Sequence, residues 1–286
     1  MDAEQLYLFD KTTANSYRAV RGWNGTPAAA QGLGATVAAV GNIVAVNGSD
    51  AIYRDFEVLD SNPTRIYKTT GDPSVRRGGD GLFVYGPRVK LVNLLVHDNQ
   101  DGIFMAVSAA GAEAYGCLVY NNGHSDPARG EGHGLYLQNQ DSSQPKRITD
   151  SVFFSNFAVG AKAYGETSPC IGVEFAGNIS FNNGAPASFP GNPSGFSTYY
   201  RQPNLFVGNG SVRPDYISVT NNYLYDPPGA MVGGSLRVSY VTSGGNNLVV
   251  KDNYVAGGHQ SISVAPETPS LLPSLRAARE RTRLWL

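Results

Sequence analysis

The feature that most constrains the fold of this chain is an internal repeat. Six segments share one pattern. Each has a turn-tolerant residue in its middle and a second one six positions later, and this second residue is mostly Asn. Alternating aliphatic and aromatic residues lie between the two. The segments are residues 89–99, 112–122, 146–156, 173–183, 217–227 and 248–258, with a weaker copy at 51–61. The mid-segment turn residues are Asp55, Asn93, Gly116, Asp150, Gly177, Asn221 and Asp252.

A second set of short segments precedes the first. It comprises residues 80–86 (DGLFVYG), 101–107 (DGIFMAV), 133–139 (HGLYLQN) and 159–165 (VGAKAYG), followed by 204–208 (NLFVG) and 235–240 (SLRVSY). The residues alternate with the period of two that is typical of a strand with one buried face. Helical spacing is absent from this part of the sequence.

Recurring strand pairs with Asn and Gly at the corners, and no helical crossovers between them, favour a coil of parallel strands. We therefore predict an all-β fold, a parallel β-helix or solenoid of about seven rungs. Asn99, Asn122, Asn156 and Asn183 recur at one corner, where side-chain amides would bond between rungs about 4.8 Å apart. Alternatively, Asn there simply tolerates a left-handed turn. A β-sandwich or a propeller is the competing fold, but neither of the two Trp lies in the repeats.

The amino-acid composition limits the classes of partner that this chain is expected to bind. The chain has 286 residues, 41% hydrophobic and 16% charged, which suits one elongated domain. The formal net charge of −1 gives no electrostatic footprint for nucleic acid. No stretch approaches the roughly 20 apolar residues of a membrane helix, and the start MDAEQLYLFD lacks the pattern of an export signal. We expect no nucleic-acid partner, no membrane span, no signal peptide in this chain and a monomer.

The two ends depart from the repeat. We assign residues 1–50 to an N-terminal region with a candidate cap, 51–264 to the β-helix and 265–286 to a C-terminal tail. A β-helix exposes unpaired edges at its ends and needs caps. Residues 28–40 are apolar but interrupted by Gly, which makes a poor helix. The Arg-rich tail fits a helical cap, an amphipathic surface helix or a foreign sequence.

The strings GDGLFVYG, QDGIFMAV, GEGHGLYLQN, KRITDSVFFSNF and GNISFNNG resemble the right-handed parallel β-helix repeat proteins of the pectin-lyase-like superfamily, in particular bacterial members of unassigned activity. The resemblance covers residues 51–258. It implies a right-handed coil with long loops on one side, a polysaccharide substrate or ligand, and an extracellular or cell-surface location. Lyases, hydrolases, epimerases and non-catalytic spikes share this fold, so the resemblance does not choose among them.

Function is expected on outward side chains, because the interior of a β-helix is packed shut. With Leu82, Ile103, Leu135 and Ala161 inward, one outward column reads Phe83, Phe104, Tyr136, Lys162, Phe206 and Arg237. A second column reads Tyr85, Ala106, Gln138, Tyr164, Gly208 and Ser239. Aromatic rings stack on sugars and cations pair with carboxylates, so this strip suits an acidic polysaccharide. Alternatively, the rings only pack beneath the long loops 124–132 and 185–203.

We predict a catalytic set and a substrate-binding set on this strip. They are Lys162, His133, Tyr136 and Tyr164 for catalysis, and Phe104, Gln138, Arg129, Arg237 and Glu166 for substrate contacts. The resemblance implies that a lyase would use Lys162 or His133 to remove the proton α to a uronate carboxylate, and Tyr136 or Tyr164 as the acid. A Lys base requires a lowered pKa. His133 fits a loop cap equally well, and His97 and His124 are weaker candidates.

Three functional classes remain open from the sequence. They are a polysaccharide lyase or epimerase, a glycoside hydrolase, and a non-catalytic glycan-binding or surface-structural β-helix. The best carboxylate pair for a hydrolase is Asp101 with Glu166. With Asp80, these residues also offer the oxygen ligands that Ca²⁺ prefers, but Asp-Gly is a common corner dipeptide and no motif supports a metal. We therefore predict no cofactor and no metal site.

The two cysteines, Cys117 and Cys170, are predicted to be unpaired. The rung at 146–156 lies between the rungs that hold or adjoin them. Two rung steps are roughly 10 Å, beyond the Cα separation of about 7 Å that a disulfide spans.

Overall fold

The chain winds as a coil of short parallel strands. A computed structural model describes residues 44–59, 65, 80–125, 130–184, 202–210, 212, 214–226, 235–238, 246–257 and 262–264. Each complete turn of the coil contributes one strand to each of three sheets of eight, seven and seven strands, whose neighbours pair in parallel. The fold is the right-handed parallel β-helix of about seven rungs that the sequence predicts.

The sheets are built from strands that lie three apart along most of the chain. Sheet 1 contains β1 (Val44–Val46), β4 (Leu82–Val84), β7 (Ile103–Met105), β12 (Leu135–Leu137), β15 (Ala161–Tyr164), β18 (Leu205–Gly208), β21 (Leu236–Val238) and β24 (Ile262–Val264). Sheet 2 contains β2 (Ile52–Arg54), β5 (Lys90–Val92), β8 (Glu113–Tyr115), β13 (Lys146–Thr149), β16 (Ile171–Ala176), β19 (Asp215–Thr220) and β22 (Asn246–Lys251). Sheet 3 contains β3 (Glu57–Leu59), β6 (Leu95–His97), β9 (Leu118–Tyr120), β14 (Val152–Phe154), β17 (Ile179–Phe181), β20 (Tyr223–Asp226) and β23 (Tyr254–Gly257).

Two strands belong to none of the three sheets, and one strand of sheet 1 lies before the region predicted for the coil. β10 (His124–Ser125) and β11 (Gly130–Glu131) form a small antiparallel hairpin between the third and fourth turns. β1 falls within the segment 1–50 that we assign to the N-terminal region, yet it pairs with β4 as a regular member of sheet 1. The coil therefore extends at least to Val44. The candidate cap at 28–40 and the tail 265–286 lie outside the described residues.

Alternation along the strands of sheet 1 sets the core. The predicted inward residues Leu82, Val84, Ile103, Met105, Leu135, Leu137, Ala161 and Ala163 are all buried in one hydrophobic core. The predicted outward column Phe83, Phe104, Tyr136, Lys162, Phe206 and Arg237 is paired residue by residue between neighbouring strands. Both predictions are confirmed, which fixes the register of the face on which we expect function.

A ladder of buried Asn side chains runs along the corner between sheet 3 and sheet 1. Each Nδ2 donates to the Oδ1 of the next member, from Asn99 to Asn122 (3.0 Å), Asn156 (3.0 Å), Asn183 (2.9 Å) and Asn204 (2.8 Å). Each acceptor oxygen also receives the backbone N–H of the preceding member. The predicted ladder is confirmed, and Asn204 extends it by one turn.

A second ladder, which the sequence analysis missed, lies at the corner between sheet 2 and sheet 3. Asn178 Nδ2 donates to Asn222 Oδ1 and Asn222 Nδ2 to Asn253 Oδ1, both at 2.9 Å. The signal was available, because each of these Asn directly follows a mid-segment turn residue. The turn residues themselves, Asp55, Asn93, Gly116, Asp150, Gly177, Asn221 and Asp252, all have φ between 49° and 69°. They turn the backbone so that the next side chain points inward, and in the last three turns that side chain is an Asn.

The interior of the coil also holds the amine of Lys146. Lys146 is fully buried on β13, and its Nζ donates to the carbonyl oxygens of Met105, Ala106 and Gln138 at the end of β7 and just after β7 and β12. Burial lowers the pKa of its amine to about 7. Cys117 and Cys170 are buried and free, as predicted.

The four longest connections between successive strands of the coil each lead from sheet 3 to sheet 1. They are residues 60–81, 121–134, 182–204 and 227–235. Arg65, in the first of them, donates to Asp98 Oδ1 at 2.8 Å and to the backbone oxygens of Asn121 (2.6 Å) and Gly123 (2.5 Å). Its guanidinium carbon also lies 5.1 Å from the ring centroid of Phe157. One loop residue thus ties together the corners of three turns.

His97 lies between two carboxylates, one of which, Asp98, also accepts from Arg65. Its Nε2 lies 2.8 Å from Glu57 Oε1 and its Nδ1 lies 2.6 Å from Asp98 Oδ2, while the Tyr120 ring stacks on it at 4.7 Å. Burial alone would lower the pKa of His97, but the hydrogen bonds and charges of Asp98 and Glu57 outweigh it and raise the pKa. Both ring nitrogens then donate, so an imidazolium links the first and second turns.

The central ladder amide should be a major source of stability. We expect Asn156→Ala to lower the free energy of unfolding by about 2–4 kcal/mol, because Asn122, Asn183 and a strand carbonyl each lose a buried partner. The matched control is Asn221→Gly, at an exposed turn with φ of 58°. It should change the free energy of unfolding by less than about 1 kcal/mol. Equal losses in urea unfolding of the two variants would refute a structural role for the ladder.

The two hydrogen bonds from His97 to Glu57 and Asp98 should stabilise the protein only while the imidazole is protonated. Its folded pKa lies above the unfolded value of 6.5, so its contribution is complete below about pH 6.5 and disappears as pH rises through the folded pKa. We expect His97→Gln to lower the free energy of unfolding most at about pH 5.5, and progressively less towards about pH 9. A wild-type-to-variant difference that stays constant over this range would contradict the prediction.

Candidate functional site

The outward face of sheet 1 begins as a strip of aromatic rings. Phe83 stacks on Tyr85 with centroids 4.2 Å apart, and lies 4.4 Å from Phe104 at an interplanar angle of 38°. Phe104 in turn meets Tyr136 edge to face at 5.0 Å. Between turns these rings are tilted or edge-on, so they do not form a continuous stack. Aromatic ring faces are what sugar rings stack on.

Lys162 continues this column inside a cage of rings. Its Nζ lies 4.6 Å from the centroid of Tyr164, 5.0 Å from that of Tyr136 and 5.6 Å from that of Phe206. Burial lowers the pKa of Lys162, although the charges of Asp101, Glu131 and Glu166 oppose the shift. The lowered pKa that a Lys base requires is therefore present, and its cause is desolvation rather than a neighbouring cation.

The phenol of Tyr136 lies beside the Lys162 amine. Gln138 Nε2 donates to its hydroxyl oxygen at 3.3 Å, and the hydroxyl is 3.5 Å from Glu166 Oε1. Burial raises the pKa of Tyr136, and the negative charge of Glu166 adds to the shift. The phenol therefore keeps its proton over the physiological range. Gln138 and Glu166, predicted as substrate contacts, thus adjoin the predicted acid and orient it.

Asp80 and Asp101, which precede strands β4 and β7 of sheet 1, add two carboxyl groups to the site. Burial and the nearby charge of Asp80 raise the pKa of Asp101 to about 8, although a hydrogen bond from the His133 backbone N–H opposes the shift. Burial also raises the pKa of Asp80, to about 6. At neutral pH the pair therefore retains a proton. The sequence pattern indicates Asp101 as a hydrolase carboxylate and both residues as calcium ligands, without indicating a shared proton. Their Asp-Gly dipeptides open adjacent segments, which was the signal for their proximity.

His133 occupies a capping position. Its Nδ1 accepts the backbone N–H of Val159 at 3.3 Å, just before β15, and its ring meets Tyr136 edge to face at 5.6 Å. A neutral imidazole that accepts at Nδ1 carries its proton at Nε2. A base role for His133 would therefore require the bond to Val159 to break, whereas the cap that the sequence left open needs no rearrangement.

The remaining predicted residues are spread along the same face. Arg237 lies beyond Lys162, with its guanidinium carbon 5.7 Å from the Phe206 centroid. Glu166 follows β15 in a left-handed turn with φ of 57°, and its backbone oxygen accepts the N–H of Gly210 at 2.7 Å. Glu131, on the hairpin strand β11, acts electrostatically on both Asp101 and Lys162, and was not predicted. Arg129 lies outside the described residues.

Within the residues that the structure describes, no group of three or more His, Cys, Asp or Glu side chains is placed to hold a metal ion. In the same part of the chain, no helix has the length and apolar character needed to cross a membrane.

No protein-family model and no curated protein matches this chain. Pectate lyase Pel9A is a solved structure that it resembles, with a TM-score of 0.47 and 16% sequence identity. The match covers 78% of this chain and 52% of that chain, about half of its length. The three parallel sheets themselves make the chain a right-handed parallel β-helix protein.

Proposed function

We propose that this protein is a polysaccharide lyase or epimerase-like enzyme that acts on an acidic polysaccharide along the outward face of sheet 1. The observation that carries the proposal is the Lys162 amine, whose pKa is lowered by burial among three rings, beside a Tyr136 phenol that keeps its proton. These are a base and an acid on adjacent turns. A polysaccharide substrate would be met outside the cell or at its surface.

The chemistry follows from the two groups. Lys162 Nζ takes the proton from the carbon α to the uronate carboxylate, and the electron pair forms a carbon–carbon double bond as the bond to the glycosidic oxygen breaks. Tyr136 donates its proton to that leaving oxygen, and solvent restores both groups. If the carbon is instead reprotonated from the opposite face, the same first step gives an epimer. The tilted rings Phe83 and Phe104 would hold sugars on one side of this centre.

A glycoside hydrolase is the second candidate, because Asp101 has the property of a general acid. Its pKa of about 8 keeps a proton on the carboxyl group at neutral pH, as the acid of a glycosidase requires. Glu166, an exposed carboxylate beside Tyr136, would serve as its partner. A non-catalytic glycan-binding protein would use the same rings and cations without turnover.

One screen separates the three classes. The protein is incubated with pectate, alginate, a glycosaminoglycan and a neutral polymer, and two signals are followed. Elimination produces an unsaturated uronate with ultraviolet absorbance, hydrolysis produces reducing ends without that absorbance, and a binder produces neither but retards the polymer in affinity electrophoresis. Retention of the neutral polymer alone would remove the acidic-polysaccharide proposal.

The base and the acid should be separable by mutation. We expect Lys162→Ala to lower kcat by about 10²-fold or more, because the proton acceptor is lost, and Tyr136→Phe to lower kcat while preserving the ring and polymer binding. Lys251→Ala, on the exposed face of sheet 2, is the matched control and should keep wild-type kcat. Thermal unfolding establishes that each variant is folded. A folded Lys162→Ala protein with wild-type kcat would contradict the proposed mechanism.

Asp101→Asn distinguishes the two reaction classes through pH dependence. In a lyase, activity rises with pH as Lys162 loses its proton, and the negative charge of Asp101 delays that loss. The Asp101 charge is present only above about pH 8. Without that charge Lys162 loses its proton more readily, so above this pH the increase of kcat in the Asp101→Asn variant should occur at lower pH than in the wild type. In a hydrolase the same change removes the acid and should abolish turnover. Asn keeps an oxygen for the His133 N–H, so the fold should be preserved.

A further inference from the structure

The outward side of sheet 3 is a continuous apolar surface that the proposed function does not use. Two columns of side chains, paired in register between neighbouring strands, form this apolar face. The first column is Leu95, Leu118, Val152, Ile179, Tyr223 and Tyr254, and the second is Tyr120, Phe154, Phe181 and Tyr225. None of these described positions holds Lys, Arg, Asp or Glu, whereas the outward side of sheet 2 carries the ion pairs Lys90–Glu113 and Arg147–Glu174.

The apolar face has the size and composition of a protein interface. Tyr223, Tyr225 and Tyr254 are between 48% and 55% exposed, and Leu118 and Ile179 are 37% and 44% exposed. An aromatic side chain presents roughly 200 Å², so the whole face leaves about 600 Å² of apolar surface exposed. The largest patch on a monomer is about 300–600 Å², and each partner of a stable interface contributes about 800 Å². A partner that also covers the borders of the face reaches that area. Tyr is enriched and charge is depleted in the centres of interfaces.

The first column changes height along the coil. Its N-terminal end carries the aliphatic side chains of Leu95 and Leu118. Its C-terminal end carries the larger Tyr223 and Tyr254, whose rings stack with centroids 4.7 Å apart. Two copies that face each other with antiparallel coils place the tall end of one against the low end of the other. With parallel coils the first column would face the second, so that Tyr223 would meet Tyr225 and the low ends would leave a gap.

The antiparallel arrangement is consistent along both columns. With a two-fold axis between the turns of Val152 and Ile179, each of these residues lies opposite the other in the second copy. Leu118 then lies opposite Tyr223 of the second copy, one turn further from the axis. The rings of the second column fall opposite rings in the same way. The face is therefore complementary to itself in height as well as in polarity.

We propose that the apolar face is a homodimer interface, in which two copies of this chain associate about a two-fold axis with antiparallel coils. The dimer replaces the monomer expected from the sequence. It leaves the outward side of sheet 1 accessible in both copies, because sheets 1 and 3 are different sides of the coil. The inference is therefore independent of the proposed polysaccharide function.

Sedimentation measures the association. The wild-type chain at about 100 µM should sediment as a dimer. Tyr223→Glu places an unpaired charge in the interface and should weaken dimerisation by more than about tenfold in Kd. The matched control is Tyr115→Glu, because Tyr115 is 50% exposed on the outward side of sheet 2. This control should keep the wild-type Kd. Thermal unfolding establishes that both variants are folded.

Crosslinking reports the direction of the coils. Leu118→Cys and Tyr223→Cys are prepared separately, mixed and treated with a short bismaleimide. The antiparallel dimer brings position 118 of one copy opposite position 223 of the other, whereas identical positions lie three turns, or roughly 14 Å, apart along the axis. The mixture should therefore crosslink, and neither variant alone should. Cys117 and Cys170 are buried, so the wild type, which should not react, is the control.

Each contrary result removes the proposal for a different reason. A wild-type chain that is monomeric at about 100 µM overturns the dimer. In that case protection of Tyr223 from iodination indicates that another segment of this chain covers the face, and its labelling indicates an open face. A dimer that survives Tyr223→Glu places the interface elsewhere, and crosslinking of Leu118→Cys to itself contradicts the antiparallel arrangement. None of these results changes the outcome of the polysaccharide screen.

Discussion

The buried asparagine ladders hold neighbouring turns in register, and every functional column on the surface depends on that register. A side-chain amide inside the core needs partners, because an unpaired buried polar group costs free energy. In Asn122 and Asn156 those partners lie on both adjacent turns, so only one vertical alignment satisfies them. A slip by one residue would turn the inward side chains of sheet 1 outward. The same bonds therefore keep Lys162 next to Tyr136.

The three outer faces of the coil differ in what they leave exposed. On sheet 2, Lys90, Glu113, Arg147 and Glu174 alternate in charge and pair along the axis. On sheet 3, the rings of Tyr120, Phe154 and Phe181 stack nearly parallel, at 9° and 4°, so that each ring covers the next. Sheet 1 instead combines tilted rings with a caged amine and carboxyl groups of raised pKa. Among the residues that the structure describes, this combination of tilted rings, a caged amine and carboxyl groups of raised pKa occurs on sheet 1.

Much of this arrangement could be predicted from the sequence, for a physical reason. Side-chain direction in a strand alternates with a period of two, so aligning Gly102 with Gly134 and Gly160 placed Phe104, Tyr136 and Lys162 in one column. The corner Asn residues were visible for the same reason. What escaped depends on distances across the coil rather than on local pattern. The burial of Lys146, the proton held near Asp101, and the reach of Arg65 to Gly123 arise from loop paths and core depth, which local alternation does not encode.

The concentration of long connections at one corner has a consequence for how such a protein can change. Each strand contributes a short, fixed stretch to its sheet, and the segments between sheet 3 and sheet 1 carry nearly all the variation in length from one turn to the next. Insertions or exchanges there lengthen or shorten a connection without adding a residue to any strand. Under the proposed polysaccharide function, selectivity for a new polymer can then evolve, or be grafted in the laboratory, through these connections, while the residues of sheet 1 stay unchanged.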